Sequence, residues 1–250
     1  MEKFPKDIYF ILAKDMDIRD LIDFCIADKR ANEKICKNDD IWRYRLDNEF
    51  PNWKDFKLNK SLINTYVYLY QLKILKKKLN NETLNTEDIL DIYNKKIIFL
   101  HNNQLKELPN EIGNLSNLKM LFLSNNQIEK LPNELWNLSN LQRLSLENNR
   151  LEILPKEVGN LTNLTNLWLS NNRLKVIPRE IGNLTNLQEL WLSNNQLEFI
   201  PKELGKLFDL RTLYLKNNKL TEIPKEIEAL TESKLIFYDF IDLILLKRYK

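Results

Sequence analysis

Leu118–Asn140 reads LKMLFLSNNQIEKLPNELWNLSN, and nearly the same string recurs from Leu141, Leu164, Leu187 and Leu210, each 23 residues after the last. Down the period the text is L-x-x-L-x-L-x-x-N-x-[LI]-x-x-[LI]-P-x-E-[LIV]-x-N-L-[ST]-N. Leu121 and Leu123 alternate with Phe122 and Ser124, the two-residue rhythm of a short strand with one buried face. Asn126, Asn149, Asn172, Asn195 and Asn218 each follow the second strand leucine by three residues, and Asn103 extends the series backward. A chain that leaves a strand and turns a corner strands its backbone N–H and C=O groups. An asparagine amide, both donor and acceptor, satisfies such groups in a dry interior. Pro109, Pro132, Pro155, Pro178, Pro201 and Pro224 follow each Asn by six residues and block regular helix on the way in.

One such unit cannot bury its own apolar face, so each stacks on its neighbours. Six coils run from Lys95 to Glu232; the first has Lys95 in place of its opening leucine, and the last runs out at Ser233. The pattern resembles the leucine-rich repeat. That resemblance implies an α/β solenoid, a leucine-rich-repeat horseshoe with parallel strands on its concave face.

The leucines are core and silent about function. The positions between them point outward. The column between the two strand leucines reads Phe99, Phe122, Ser145, Trp168, Trp191, Tyr214. Exposed aromatic rings in a contiguous stripe are costly unless covered, and Trp and Tyr are frequent binding anchors. One flanking column reads Ile97, Met120, Arg143, Asn166, Glu189, Thr212; the other reads His101, Ser124, Glu147, Ser170, Ser193, Lys216. Both are mixed, like a polar rim. The face is expected to bind a target protein through Phe99, Phe122, Trp168, Trp191 and Tyr214, with Arg143, Glu147, Glu189 and Lys216 around them. The competing reading is that aromatics favour strands and pack side by side across coils.

Composition excludes several classes. The net charge is only +3 and the basic residues are spread along the chain, poor footing for nucleic acid. Met1–Asp15 breaks its apolar run with Lys6, Asp7, Lys14 and Asp15, so it is no signal peptide. Leu235–Leu246 contains Asp239 and Asp242 and is too short to cross a bilayer, so no membrane partner is expected; residues 233–250 read as a C-terminal cap. Asn-x-Ser/Thr triplets at Asn114, Asn137, Asn160 and Asn183 are by-products of the repeat. The two cysteines, Cys25 and Cys36, are read as buried inert thiols in a reduced, intracellular compartment. His101 is the lone histidine, with no thiolate or carboxylate cluster for a metal site or a triad. There is no glycine-rich phosphate loop. No catalytic site, metal or cofactor is expected.

The first fifty residues belong to a different, all-α unit. Pro5 with Ile8, Ile11 and Leu12 gives one short helix; Asp17 caps a second bearing Leu21, Phe24 and Cys25; a third spans about Asp28 to Lys37. Here the chain resembles an F-box. Phe4-Pro5-Lys6-Asp7-Ile8-Tyr9-Phe10-Ile11-Leu12 follows the family's L-P-x-E-[LI]-x-x-x-I-L with one residue fewer. Met16-Asp17-Ile18-Arg19-Asp20-Leu21 follows L-D-P-x-D-L, and Lys29-Arg30 and Ile41-Trp42 stand for the closing basic pair and L-W. Ala27-Asp28 replaces the usual V-C, and Ala31 the usual Trp. The resemblance implies docking on a Skp-type adaptor of a cullin–RING ubiquitin ligase through Pro5, Ile8, Ile11, Leu12, Leu21 and Phe24. The same residues could instead form the head's own core.

Residues 51–94 read as a helical spacer that caps the first coil, with Trp53, Phe56, Leu62, Tyr66, Tyr70 and Ile74 at near-helical spacing. The whole chain resembles an F-box/leucine-rich-repeat protein, and its composition is similar to coding in giant DNA viruses. On that resemblance the repeats would hold a host protein for ubiquitination. The alternative is a leucine-rich-repeat scaffold without a ligase role.

Overall fold

The computed structural model describes residues 17, 21, 35–56, 61–79 and 89–227. Among the described residues, three α-helices with defined bounds precede a six-stranded sheet: α1 (Asp39–Glu49), α2 (Leu62–Leu79) and α3 (Ile89–Asn94). The strands are β1 (Ile97–Phe99), β2 (Met120–Phe122), β3 (Arg143–Ser145), β4 (Asn166–Trp168), β5 (Glu189–Trp191) and β6 (Thr212–Tyr214). They lie in chain order, every neighbouring pair parallel, each residue opposite the one 23 positions on. The middle residue of every strand is a buried Ile or Leu.

Return segments opposite the strands are 3-10 turns, not α-helices: Asn110–Asn114, Asn133–Asn137, Lys156–Asn160, Arg179–Asn183 and Lys202–Lys206. A proline immediately before each turn holds φ between −67° and −74° and an extended ψ, so the chain enters too late to build more than one tight turn.

The asparagine column performs as its chemistry demands. Asn149 Oδ1 accepts from the Ile128 N–H at 3.0 Å, while its Nδ2 donates to the Leu123 and Leu146 carbonyls at 3.0 Å. Asn126, Asn172, Asn195 and Asn218 repeat the arrangement. The preceding asparagine of each pair has its own task. Asn102, Asn125, Asn148, Asn171, Asn194 and Asn217 turn the corner with φ between 54° and 60°, a left-handed backbone that asparagine tolerates better than most residues.

The helices close the solenoid's first coil. Lys78 Nζ meets Glu111 at 3.0 Å, Asn114 Nδ2 donates to Gln71 Oε1 at 3.1 Å, and Asn117 Nδ2 donates to the Tyr93 carbonyl at 3.3 Å. Lys76, Lys77 and Lys78 occupy the last turn of α2, where the helix dipole favours cations. α1 is joined to α2 through Tyr66, whose hydroxyl donates to Glu49 Oε1 at 2.6 Å beneath the Arg45 guanidinium. Burial, reinforced by that hydrogen bond, pushes the Tyr66 phenol above its ordinary range. Trp42, fully buried, packs on Tyr66 at 5.6 Å and donates to the Ile35 and Cys36 carbonyls. Tyr70 reaches Asp17 Oδ2 at 3.4 Å.

One expectation is corrected. Cys36 is disulfide-bonded, not a free thiol. Such a pairing depends on tertiary approach of two Cβ atoms, which sequence spacing does not reveal. The helices expected within residues 5–37 lie mostly outside the described residues, as does the C-terminal cap at 233–250.

Candidate functional site: the outward face of the sheet

Parallel register with no offset stacks Phe99, Phe122, Ser145, Trp168, Trp191 and Tyr214 into one row on the face opposite the leucines. Phe99 and Phe122 stack at 5.0 Å and 9°. Trp168 and Trp191 meet at 5.3 Å, and Trp191 and Tyr214 meet edge-on at 5.4 Å. Ser145 breaks the aromatic run in sequence but not in space. Phe122 and Trp168 stand two strands apart, roughly twice the ~4.8 Å interstrand spacing. Their ring centroids are nonetheless 6.2 Å apart. The two rings lean over Ser145 and bury it, and its hydroxyl bonds that of Ser124.

The side-by-side packing expected of strand aromatics is present, and the row is also partly open to solvent. The rings pack on one another across coils, and together they form a continuous ridge. Phe99 at its end is 58% exposed, and Phe122, Trp168, Trp191 and Tyr214 are partly exposed.

The flanks supply orientation and charge. Trp168 Nε1 donates to Glu189 Oε2 at 3.0 Å, a bond reaching from one coil to the next. Trp191 has no equivalent: Thr212 stands where a carboxylate would, and the Trp191 indole N–H is buried without an acceptor. Glu147 is half-buried beside the Ser145 gap, and burial raises its pKa. Arg143, on the other flank of the same coil, is exposed, as is Lys216 at the last strand. His101 packs edge-on against Phe99 at 6.0 Å.

Of the residues assigned to an adaptor contact, Leu21 is fully buried and belongs to the head's own core. Pro5, Ile8, Ile11, Leu12 and Phe24 lie outside the described residues. Among the described residues no group of three or more His, Cys, Asp or Glu side chains could hold a metal ion. No helix among them is long and apolar enough to cross a membrane.

Two features escaped the sequence reading. Ile153, Val176 and Phe199 are exposed in three successive coils, with shallow grooves of about 330 and 410 Å³ on either side of Ile153. Reading the residue two before each proline as its own column (Glu107, Lys130, Ile153, Val176, Phe199, Glu222) would have found them. Trp136 is the second. It is buried at the position held by Gly113, Gly159, Gly182 and Gly205 in four of the other five coils, and its indole N–H has no acceptor.

Comparison with known proteins agrees with this architecture. Residues 54–198 match a family model described as a leucine-rich repeat region, and residues 209–230 match a second, described as a leucine rich repeat. The first match opens ahead of α2, within the stretch read as a spacer. No curated protein matches the chain. A leucine-rich-repeat protein of Leptospira interrogans is 43% identical, with a TM-score of 0.53 over 56% of this chain and 35% of that one. An internalin of Listeria monocytogenes is 30% identical, with a TM-score of 0.49 over 58% of this chain and 40% of that one. The ectodomain of a plant membrane receptor kinase from Arabidopsis thaliana is 37% identical, with a TM-score of 0.49 over 53% and 16%. The chain thus spans well under half the length of each of these proteins. The six parallel strands, the asparagine ladder and a family match over more than half of the sequence place the chain in the leucine-rich-repeat family of protein-interaction modules.

Proposed function

We propose that the aromatic ridge is the target-binding surface of a non-catalytic recognition subunit, and that the chain serves a Skp–cullin–F-box type ubiquitin ligase. Phe99, Phe122, Trp168, Trp191 and Tyr214 anchor the target, with Arg143, Glu147, Glu189 and Lys216 at the rim. The head docks the Skp-type adaptor through Pro5, Ile8, Ile11, Leu12 and Phe24, while Leu21, fully buried, supports the head from within. The transfer chemistry takes place on other subunits. The observation that supports target binding most is the unbroken row of partly exposed rings, closed even across Ser145. The adaptor half is supported by the F-box-like sequence of the head. The bonds joining α2 to the first coil would hold a captured protein in a fixed position.

A leucine-rich-repeat scaffold without a ligase role is the second reading. The disulfide at Cys36 favours it, because such bonds persist in oxidising compartments where cytosolic ligases do not work. Co-purification with a Skp-type adaptor decides between them. The intact chain should retain the adaptor, and a chain with Pro5→Asp, Ile8→Asp and Leu12→Asp should lose it. No retention by the intact chain leaves the scaffold. For the target half, Trp168→Ala with Trp191→Ala should abolish capture with the circular dichroism spectrum unchanged; undiminished capture would make the ridge structural only.

A further inference from the structure

We infer that Trp168 and Glu147 form a seat for a basic side chain, lysine or arginine, on the polypeptide that the ridge holds. The inference rests on the ridge being a protein-binding face and names the chemistry of its occupant. Glu147 carries the first argument. It is half-buried on the outward face, yet no side chain among the described residues bonds or ion-pairs with it. A carboxylate withdrawn from water without a partner is costly to hold ionised, and a cation supplied by a binding partner removes that cost. Its raised pKa reports the same desolvation.

Position supplies the second argument. The Asn125 N–H donates to the Glu147 carbonyl at 2.9 Å and the Asn148 N–H to the Ser170 carbonyl at 3.0 Å, which fixes Glu147 between Ser124 and Ser170 in its column. Both neighbours are short. The large groups on that face one strand away are Phe122 and Trp168, the pair that closes over Ser145.

The ring itself supplies the third. Indole is the best aromatic face for a cation. The electropositive N–H edge of Trp168 is already bound to Glu189 in one flanking column, and by register Glu147 stands one coil back in the other, so a cation over the ring would meet a carboxylate on each side. Trp191 lacks such a carboxylate. The face's own cations do not fill the seat. Arg143 shares the coil with Glu147 but lies in the opposite column, across Ser145, and pairs with no carboxylate. Lys216 and His101 lie in the Glu147 column but three and two coils away. An acidic occupant has no comparable seat, because Arg143 is exposed and loses little by staying hydrated.

The test uses the intact chain with its tryptophan indoles labelled for NMR. The probes are five-residue peptides, acetylated and amidated, with lysine, arginine, norleucine or glutamate at the centre of a Ser-Ala-X-Ala-Ser frame. Norleucine keeps the length of lysine without its charge. The lysine and arginine peptides should move the Trp168 signal and bind about fivefold or more tighter than the norleucine peptide. Glu147→Gln should bring that ratio close to one, whereas Arg143→Gln should keep or increase it. An unmoved Trp136 signal verifies the fold of each variant. Equal affinity for lysine and norleucine, or a preference that survives Glu147→Gln, overturns the basic seat while leaving the ridge as a peptide-binding face. Silence of Trp168 toward every peptide also overturns it; the ridge reading itself fails only if the chain with Trp168→Ala and Trp191→Ala still captures its target.

Discussion

Replacing Asn172 by alanine isolates what one rung of the asparagine ladder contributes. Its Oδ1 accepts from the Leu151 N–H at 3.0 Å, and its Nδ2 donates to the Leu146 carbonyl at 2.9 Å and the Leu169 carbonyl at 3.0 Å. The carbonyls are shared. Leu146 O also accepts from Asn149 and Leu169 O from Asn195, each at 3.0 Å. Alanine therefore orphans one group outright, the Leu151 N–H, and leaves two carbonyls with one partner each. A buried orphan costs about 1–3 kcal/mol and a lost ordinary hydrogen bond about 0.5–1.5 kcal/mol. Because both carbonyls keep a partner, the sum falls toward the low end of these ranges, about 3 kcal/mol. Asn218 makes the same kind of bonds at the last strand but is only half-buried, so water replaces part of what it provides. Asn218→Ala should cost about 1 kcal/mol. Urea denaturation followed by circular dichroism reads the difference. With an m-value of about 2 kcal/mol/M, the midpoint should fall by about 1.5 M for Asn172→Ala and about 0.5 M for Asn218→Ala. Equal shifts, or an Asn172→Ala protein within about 0.3 M of the parent, would refute the sharing argument.

Gly182→Ala should destabilise by about 1–3 kcal/mol, because the added Cβ would stand 2.6 Å from the Glu203 carbonyl oxygen, a backbone atom that cannot swing aside. The same denaturation series checks it, and a neutral result would show that the coils slide apart easily. Trp136→Ala should cost about 3–5 kcal/mol through the cavity it leaves, despite removing an unsatisfied indole N–H. A loss under about 1 kcal/mol would mean that the neighbouring turns close over the gap. Glu147→Gln should raise the melting temperature at pH 7 and leave it unchanged near pH 3. Burial raises the folded-state pKa, so the parent loses stability as pH climbs through the unfolded carboxylate range and beyond, whereas glutamine does not. A gain at acid pH equal to that at neutrality would contradict this.

Much of the repeat domain was legible in the sequence, because a solenoid is a local structure written repeatedly. Leu121 and Leu144 are buried for the same reason, and any one coil suffices to place the strand, the corner asparagine and the proline. The outward column was equally legible, since register without offset stacks like positions. What remained hidden is whatever depends on two or more coils at once. Ser145 looked like a gap in the aromatic run, and only the lean of Phe122 and Trp168 across it shows that the ridge is closed. The lone carboxylate of Glu147 and the disulfide at Cys36 are likewise matters of who is absent or near in space. The 3-10 turns follow from the proline and the short return, which leave no length for a regular helix.

Coil three departs from the consensus at its front, and its neighbour departs at the back; the two departures fit together. Behind the sheet, glycine lets successive turns touch: a Cβ at Gly159 would stand 2.7 Å from the Glu180 carbonyl oxygen. Trp136 occupies that place in coil two, and the turn Asn133–Asn137 packs less closely on Lys156–Asn160 than the other neighbouring 3-10 turns pack on each other. In front, β2 and β3 remain in ladder register, so the strands cannot separate in the same way. A stack spread behind and held in front would bend forward at that point and bring the side chains projecting from the front together. Phe122 and Trp168 meet at this place, over the one residue of the column small enough to lie beneath them. A bulky residue at Ser145 would hold the rings apart, and a glycine at Trp136 would relax the bend behind them.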